Sequence, residues 1–236
     1  MLQTGDVILV TGAHASSRKL VQAQRLFVPE AKSSHAILAH GETLCIDAAP
    51  AEGVRQRFLL DVLLNIEPTW EVIRLEGITD PQKEAIIKAA AYYLNQGYLI
   101  HPTSIIGNKK SYCSELVRKV YVRAGIQTNL PESGVVMPGH FDRLINNNLG
   151  WSLVTPEIKS WVETVAADEA TLRNITDIAI NGLKLNRKRF EERKKMRHRL
   201  IKDHKKGKIS QEKLTEMLQI LDGINDKVNY KFWDYK

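Results

Sequence analysis

Thirteen of the twenty-five residues from Lys184 to Lys208 are Lys or Arg, opposed only by Glu191, Glu192 and Asp203. A segment carrying a net charge of +10 cannot enter a packed core without desolvating its charges, so it must lie at the surface whatever the rest of the chain does. Leu183, Leu185, Phe190, Met196 and Leu200 supply one weak apolar stripe at helical spacing, which predicts a long solvated helix and not a disordered tail. The rest of the chain carries −3 of the net +7, so the pI of 9.3 describes this one segment.

The texture of the chain changes at Pro156. Before it, short elements alternate: a strand-like run at Val7–Val10, a helix capped by Ser17 and closed by Pro29, and two short apolar stretches, Ser34–Ala39 and Leu44–Ala48, joined through Gly41. Further strands are expected at Val54–Phe58 and Trp70–Leu75, a helix opening at Asp80-Pro81 and stopped by Gly97, and another helix starting near Cys113. After Pro156 helix formers dominate, over residues 157 to 180, the charged stretch 184 to 206, and a helix capped by Ser210 running through Leu221. The expected organisation is an α+β domain over residues 1–155 and a helical region over 156–236, with Tyr230, Phe232, Trp233 and Tyr235 folding back at the end. At 236 residues and 43% hydrophobic content, a sizeable core can form. Two cysteines exclude a disulfide scaffold. No stretch approaches eighteen apolar residues and no general export signal opens the chain, so a cytoplasmic origin and no membrane span are expected.

In Lys110-Ser-Tyr-Cys113-Ser-Glu-Leu-Val-Arg-Lys-Val-Tyr121, a cysteine begins a helical pattern whose buried face is Leu116, Val117, Val120 and Tyr121. Unpaired N–H groups at a helix start favour a thiolate, whereas a plain buried thiol is the bland alternative. A thiolate nucleophile needs a base and an orienting group. If the turn is His40-Gly41-Glu42, Ala39 pairs with Thr43 and His35 faces Asp47 across the hairpin. His35, His40, Cys45, Asp47 and Cys113 are also metal-ligand types. Strand alternation puts His35 and His40 on opposite faces, and no Cys-x-x-Cys or His-Glu-x-x-His spacing occurs, so neither metal nor cofactor is expected. His40 reads as a turn residue.

The order of these pieces resembles the permuted NlpC-type papain-like cysteine hydrolases of the YiiX/YaeF kind, and more distantly the lecithin:retinol acyltransferase group. The resemblance covers residues 5 to about 155. It rests on Gly5-Asp6-Val7-Ile8, a helix ending near Gln24, Ser34-His35-Ala36, Cys45-Ile46-Asp47-Ala48 with Gly53-Val54, Tyr112-Cys113-Ser114-Glu115-Leu116-Val117, and a closing segment at Val136–Pro138 with Phe141 and Leu144. It implies a circularly permuted papain-like domain in which Cys113 is the nucleophile, His35 the general base and then acid, and Asp47 the orienting residue, where relatives often carry Glu or His. Gly97-Tyr98-Leu99 departs from the Tyr-Asp found in many relatives. The backbone N–H of Cys113 is expected to donate to the oxyanion, with Tyr112 or Gln24 as candidates for the second donor. The bland alternatives are core packing for Tyr112 and helix surface for Gln24.

The resemblance implies a cysteine amidase or endopeptidase cutting peptidoglycan peptides. Two alternatives stay open: a lipid or thioester acyl hydrolase or acyltransferase, and a non-catalytic interaction module. A wall hydrolase made without an export signal implies delivery by a specialised secretion machine as an antibacterial effector, with an immunity protein and a secretion component as partners. The 184–208 segment is expected to attract an anionic surface. Phe190 is its only aromatic residue, so no specific nucleic acid is expected.

Overall fold

The computed structural model describes residues 1–99, 110–147 and 149–227, with the last three by backbone alone. The expected packing of Tyr230, Phe232, Trp233 and Tyr235 lies outside the described residues. The chain forms two compact units, Met1–Asp177 and Ile178–Lys236. Strand Val7–Val10 (β1) is followed by helix Ala15–Gln24 (α1), strands His35–Ala39 (β2), Leu44–Ala49 (β3) and Gly53–Phe58 (β4), a single turn Leu59–Val62 (α2), and strand Glu71–Leu75 (β5). Then come Asp80–Tyr92 (α3), the short strands Gly97–Tyr98 (β6) and Lys110–Ser111 (β7), helices Cys113–Arg123 (α4) and Pro138–Asn146 (α5), strand Trp151–Leu153 (β8), and helix Thr155–Ala167 (α6). Two more helices, Glu169–Lys205 (α7) and Gln211–Lys227 (α8), complete the described chain.

Six strands form one antiparallel sheet in the order β4-β3-β2-β1-β5-β8, and β6 and β7 make a separate parallel pair. All four residues of β1 are buried, which is why this strand reads as an unbroken apolar run and sits in the interior of the sheet. Asp6, just ahead of it, is buried and accepts a two-pronged contact from Arg74 of β5, at 2.7 and 2.8 Å, plus the Gln3 N–H at 2.7 Å. The Tyr121 hydroxyl of α4 donates to the Gly5 carbonyl at the same corner. The Gly5-Asp6 pair therefore ties the first strand to its neighbour and to the cysteine-bearing helix. Against the sheet, Ile8, Val10, Ile37, Ala39, Cys45 and Val72 pack with Leu59, Val62, Ile158 and Val165, so α2 and α6 cover one core.

Several boundaries differ from expectation. Helix α1 starts at Ala15, with His14 and not Ser17 in the extended capping position, and it ends at Gln24, ahead of Pro29. Helix α3 opens as expected, with Pro81 in its first turn and Thr79 and Gln82 capping each other, but Asn95 takes a left-handed conformation (φ 66°) and the helix is over before Gly97. Strand β8 spans three residues, too few for alternation to show in a sequence. The helical run after Pro156 breaks at Asp168 (φ −125°, ψ 42°), beyond which α7 is continuous for 37 residues through the charged stretch. In the second unit Leu200 packs with Leu214 and Leu221, Gly207 turns the chain with φ 68°, and Ser210 accepts the Lys213 N–H at 3.2 Å as the expected cap. No helix among the described residues is long and apolar enough to cross a membrane.

Helix α5 approaches the segment between α1 and β2 very closely. A Cβ placed on Gly139 would meet the Ala31 Cβ at 2.6 Å and its Cα at 3.2 Å. Gly139→Ala is expected to destabilise the protein by about 1–3 kcal/mol through overpacking, measured as a lower urea midpoint at unchanged slope.

Candidate active site

The hairpin of β2 and β3 sets the first two side chains. Its register pairs Leu38 with Ile46 and Ala39 with Cys45, and the His40 N–H donates to the Leu44 carbonyl at 2.8 Å. The turn is therefore Gly41-Glu42-Thr43, one residue further along than the sequence suggested, and Ala39 does not pair with Thr43. That moves the register by two residues, an even number, so His35 and Asp47 still share a face, as diagonal and not direct neighbours. His35 Nε2 donates to Asp47 Oδ1 at 2.6 Å. Asp47 is 1% exposed, and the His35 side chain keeps 23% of its surface.

Cys113 is the first residue of α4, which packs across β2 and β3. The capping residue, Tyr112, is extended (φ −95°, ψ 172°) and contributes no side-chain bond to the helix end. The earliest N–H groups of α4 are thus left to a ligand or to the sulfur itself. The Ala36 N–H, next in chain to His35, donates to the Cys113 sulfur, and so does the His35 ring. With Nε2 committed to Asp47, the ring nitrogen that faces the thiol is Nδ1.

Charge alternates through these groups. Burial raises the Cys113 thiol, but the His35 charge, its hydrogen bond and the Ala36 N–H outweigh that, and the net pKa is lowered. Burial depresses His35, yet Asp47 and the Cys113 thiolate hold its pKa well above the usual histidine range. Asp47 is likewise disfavoured by burial and rescued by His35, with Arg57 and Arg55 assisting, so its pKa is lowered. Arg57 lies 3.6 Å from Asp47 Oδ2 and donates to the Asp61 carbonyl at 2.8 Å. A thiolate–imidazolium pair backed by a carboxylate can attack an acyl carbon and return a proton to the leaving group.

The remaining residues frame this row. Gln24 is buried and not on the helix surface: its amide donates to the Ser33 carbonyl at 2.9 Å and accepts the Gly139 N–H at 2.9 Å. Asp142 accepts the Lys32 and Ser33 N–H groups and the Ser33 hydroxyl, at 2.8, 3.0 and 3.0 Å. Together they clamp the strand entry two residues before His35. The Tyr112 hydroxyl accepts the Val136 N–H at 3.0 Å, and burial pushes its pKa up to about 12. Tyr98 is paired with Ser111 in β6–β7, and burial with the charges of Cys113 and Asp47 raises it to about 12. His40 is a satisfied histidine, with Nε2 donating to the Ile87 carbonyl at 3.0 Å and Nδ1 accepting from Gln56 at 3.3 Å. Burial lowers its pKa and keeps it neutral. Among the described residues no three His, Cys, Asp or Glu side chains gather as a metal site. Sequence reasoning passed over Arg57 and Asp142 and met Tyr98 only as a departure from the pattern of relatives. The alternation of Arg55 and Arg57 on the strand beside Asp47 was the readable sign for the first, whereas Asp142 lies 109 residues from its partner Ser33 and left no local sign.

Residues 1–136 match the family described as permuted papain-like amidase enzymes, YaeF/YiiX, C92 family. The chain belongs to that family. Among solved structures, the metalloprotein YiiX of Escherichia coli O157:H7 is similar, with a TM-score of 0.44 and 24% identity over 60% of this chain and 79% of that one. No curated protein matches the sequence. At the level of the C92 family the activity is that of an amidase, and the matched segment holds His35, Asp47 and Cys113.

The two thiols of this C92 protein should react very differently. Cys45 is fully buried and burial raises its pKa, while Cys113 is lowered. Iodoacetamide is expected to label Cys113 alone, with a rate inflection below the ordinary thiol value of about 8.5. The charged imidazolium neighbour favours the thiolate, so fast labelling should set in above the lowered Cys113 pKa, while His35, raised well above its usual range, is still protonated. In His35→Ala the inflection should move upward. Mass spectrometry of pH-stepped labelling checks both, and a wild-type inflection at or above about 8.5 would contradict the charge pairing.

Proposed function

We propose that this C92 amidase hydrolyses amide bonds in peptidoglycan peptides, with Cys113 as nucleophile, His35 as general base and then acid, and Asp47 as the orienting group. The observation that carries the reading is the 2.6 Å bond from His35 Nε2 to Asp47, which leaves Nδ1 to serve the sulfur at the head of α4. The Cys113 sulfur adds to the amide carbon, and the oxyanion is met by the Cys113 N–H and the hydroxyl of Tyr112, whose proton is not used in its bond to Val136. His35 then protonates the departing amine, the acyl-thioester forms, and water activated by His35 releases the acid and restores the thiol. Amides are preferred as substrate because the chain belongs to an amidase family. Action on the envelope of a competing cell, as a delivered effector, belongs to the same reading.

Incubation of purified muropeptides with wild type and Cys113→Ala, followed by mass spectrometry, tests it. Wild type is expected to give new amine and carboxyl ends, and Cys113→Ala none. Asp47→Ala should lose roughly 10²–10³-fold in kcat/KM, and Asp47→Asn less, because an amide oxygen can still accept the Nε2–H bond. Release of fatty acid from phospholipid with muropeptides untouched would move the substrate to acyl lipids. Expression directed to the periplasm should be toxic and cytoplasmic expression tolerated, and equal toxicity in both would count against the effector role.

A further inference from the structure

We propose that the exposed face of α7 is a docking surface for an anionic phospholipid bilayer. At 3.6 residues per turn, Lys184, Lys188, Lys195, Arg199 and Lys202 fall within a sector of about 60° along about 27 Å of helix. All five are exposed. The three acidic residues of the segment are already matched: Glu191 with Arg187 at 2.8 Å, Glu192 with Lys195 at 2.8 Å, and Asp203 with Lys208 at 3.9 Å. Among the described residues Lys184, Lys188, Arg199 and Lys202 have no ion-pair partner, so four of the five cations of the sector, all but the Glu192-paired Lys195, give it a net positive charge.

A second feature of the same helix selects a lipid surface over other polyanions. Ile178, Leu185 and Met196 are 73%, 49% and 51% exposed and fall within about 20° of one another, roughly 90° round the helix from the basic line. Leu200, which packs against Leu214 and Leu221 of α8, lies about 40–60° further round the helix, so these three exposed residues border that contact on the side of the basic line. A straight line of cations beside an apolar edge matches the headgroup region of a bilayer, which takes both at once along the whole helix. A nucleic-acid duplex offers phosphates but nothing for the apolar edge. Phe190, the aromatic residue of the segment, is half-buried with Arg187 over its ring at 5.9 Å, which leaves no stacking platform for single strands.

Co-sedimentation of the full chain with vesicles tests the proposal. The expected result is binding to phosphatidylcholine vesicles containing 30% phosphatidylglycerol and none to pure phosphatidylcholine, with release at 0.5 M NaCl. The triple variant Lys188→Glu, Arg199→Glu, Lys202→Glu should weaken binding by two orders of magnitude or more, at about fivefold or greater per cation. The charge-neutral pair Leu185→Gln, Met196→Gln should weaken it several-fold, and arginine replacements of Lys188 and Lys202 should retain it. Circular dichroism is expected to show unchanged helix content in each variant. No binding to the anionic vesicles, no effect of the Leu185 and Met196 changes, or equal or tighter binding to duplex DNA at the same salt would each overturn the proposal.

Discussion

Burying a thiol, an imidazole and a carboxylate together strips each of its hydration, and the arrangement is stable only because their charges alternate. From Arg57 through Asp47 and His35 to Cys113, each group faces one of opposite sign, and the pKa values of Asp47, His35 and Cys113 move against the direction that burial alone would impose. Removing any member leaves its neighbour as an uncompensated buried charge. Arg57, about a quarter exposed, stands at the solvent side of this row and anchors it.

The fold's task is to hold two distant segments within bonding reach. Strand pairing fixes His35 and Asp47, since only an even shift in register keeps them on one face. Packing fixes Cys113, because α4 lies across the same strands while Tyr121, further along it, bonds to the Gly5 carbonyl. Gly5 and Asp6, at the head of the first strand, thus serve the site without touching it, through Arg74 on one side and Tyr121 on the other.

Sequence patterns resolved what is local. The apolar run of β1, the Pro81 helix start, the Ser210 cap and the cysteine heading α4 all announce themselves within a few residues. The hairpin was legible but its parity hung on the turn, because a three-residue loop puts His35 and Asp47 on one face and a two-residue loop does not, and the backbone bond from His40 to Leu44 is what sets the length and place of that loop. Gln24 stood out only through the family resemblance, with helix surface as its plain reading, and its burial depends on an approach by α5 from 115 residues away. The break at Asp168 and the three-residue β8 were equally invisible, the first because its flanks are both good helix formers and the second because it is too short to alternate.

The clamp on Ser33 also bears on where this catalytic module ends. The family model matches residues 1–136, yet Gly139 and Asp142, beyond that stretch, hold the approach to His35. The imidazole is seated by chain on both sides of the boundary. A transplant cut at that boundary would carry all three candidate reacting residues and leave one of their supports behind. Inheritance of the chemistry therefore requires inheritance of a helix that lies beyond the matched stretch.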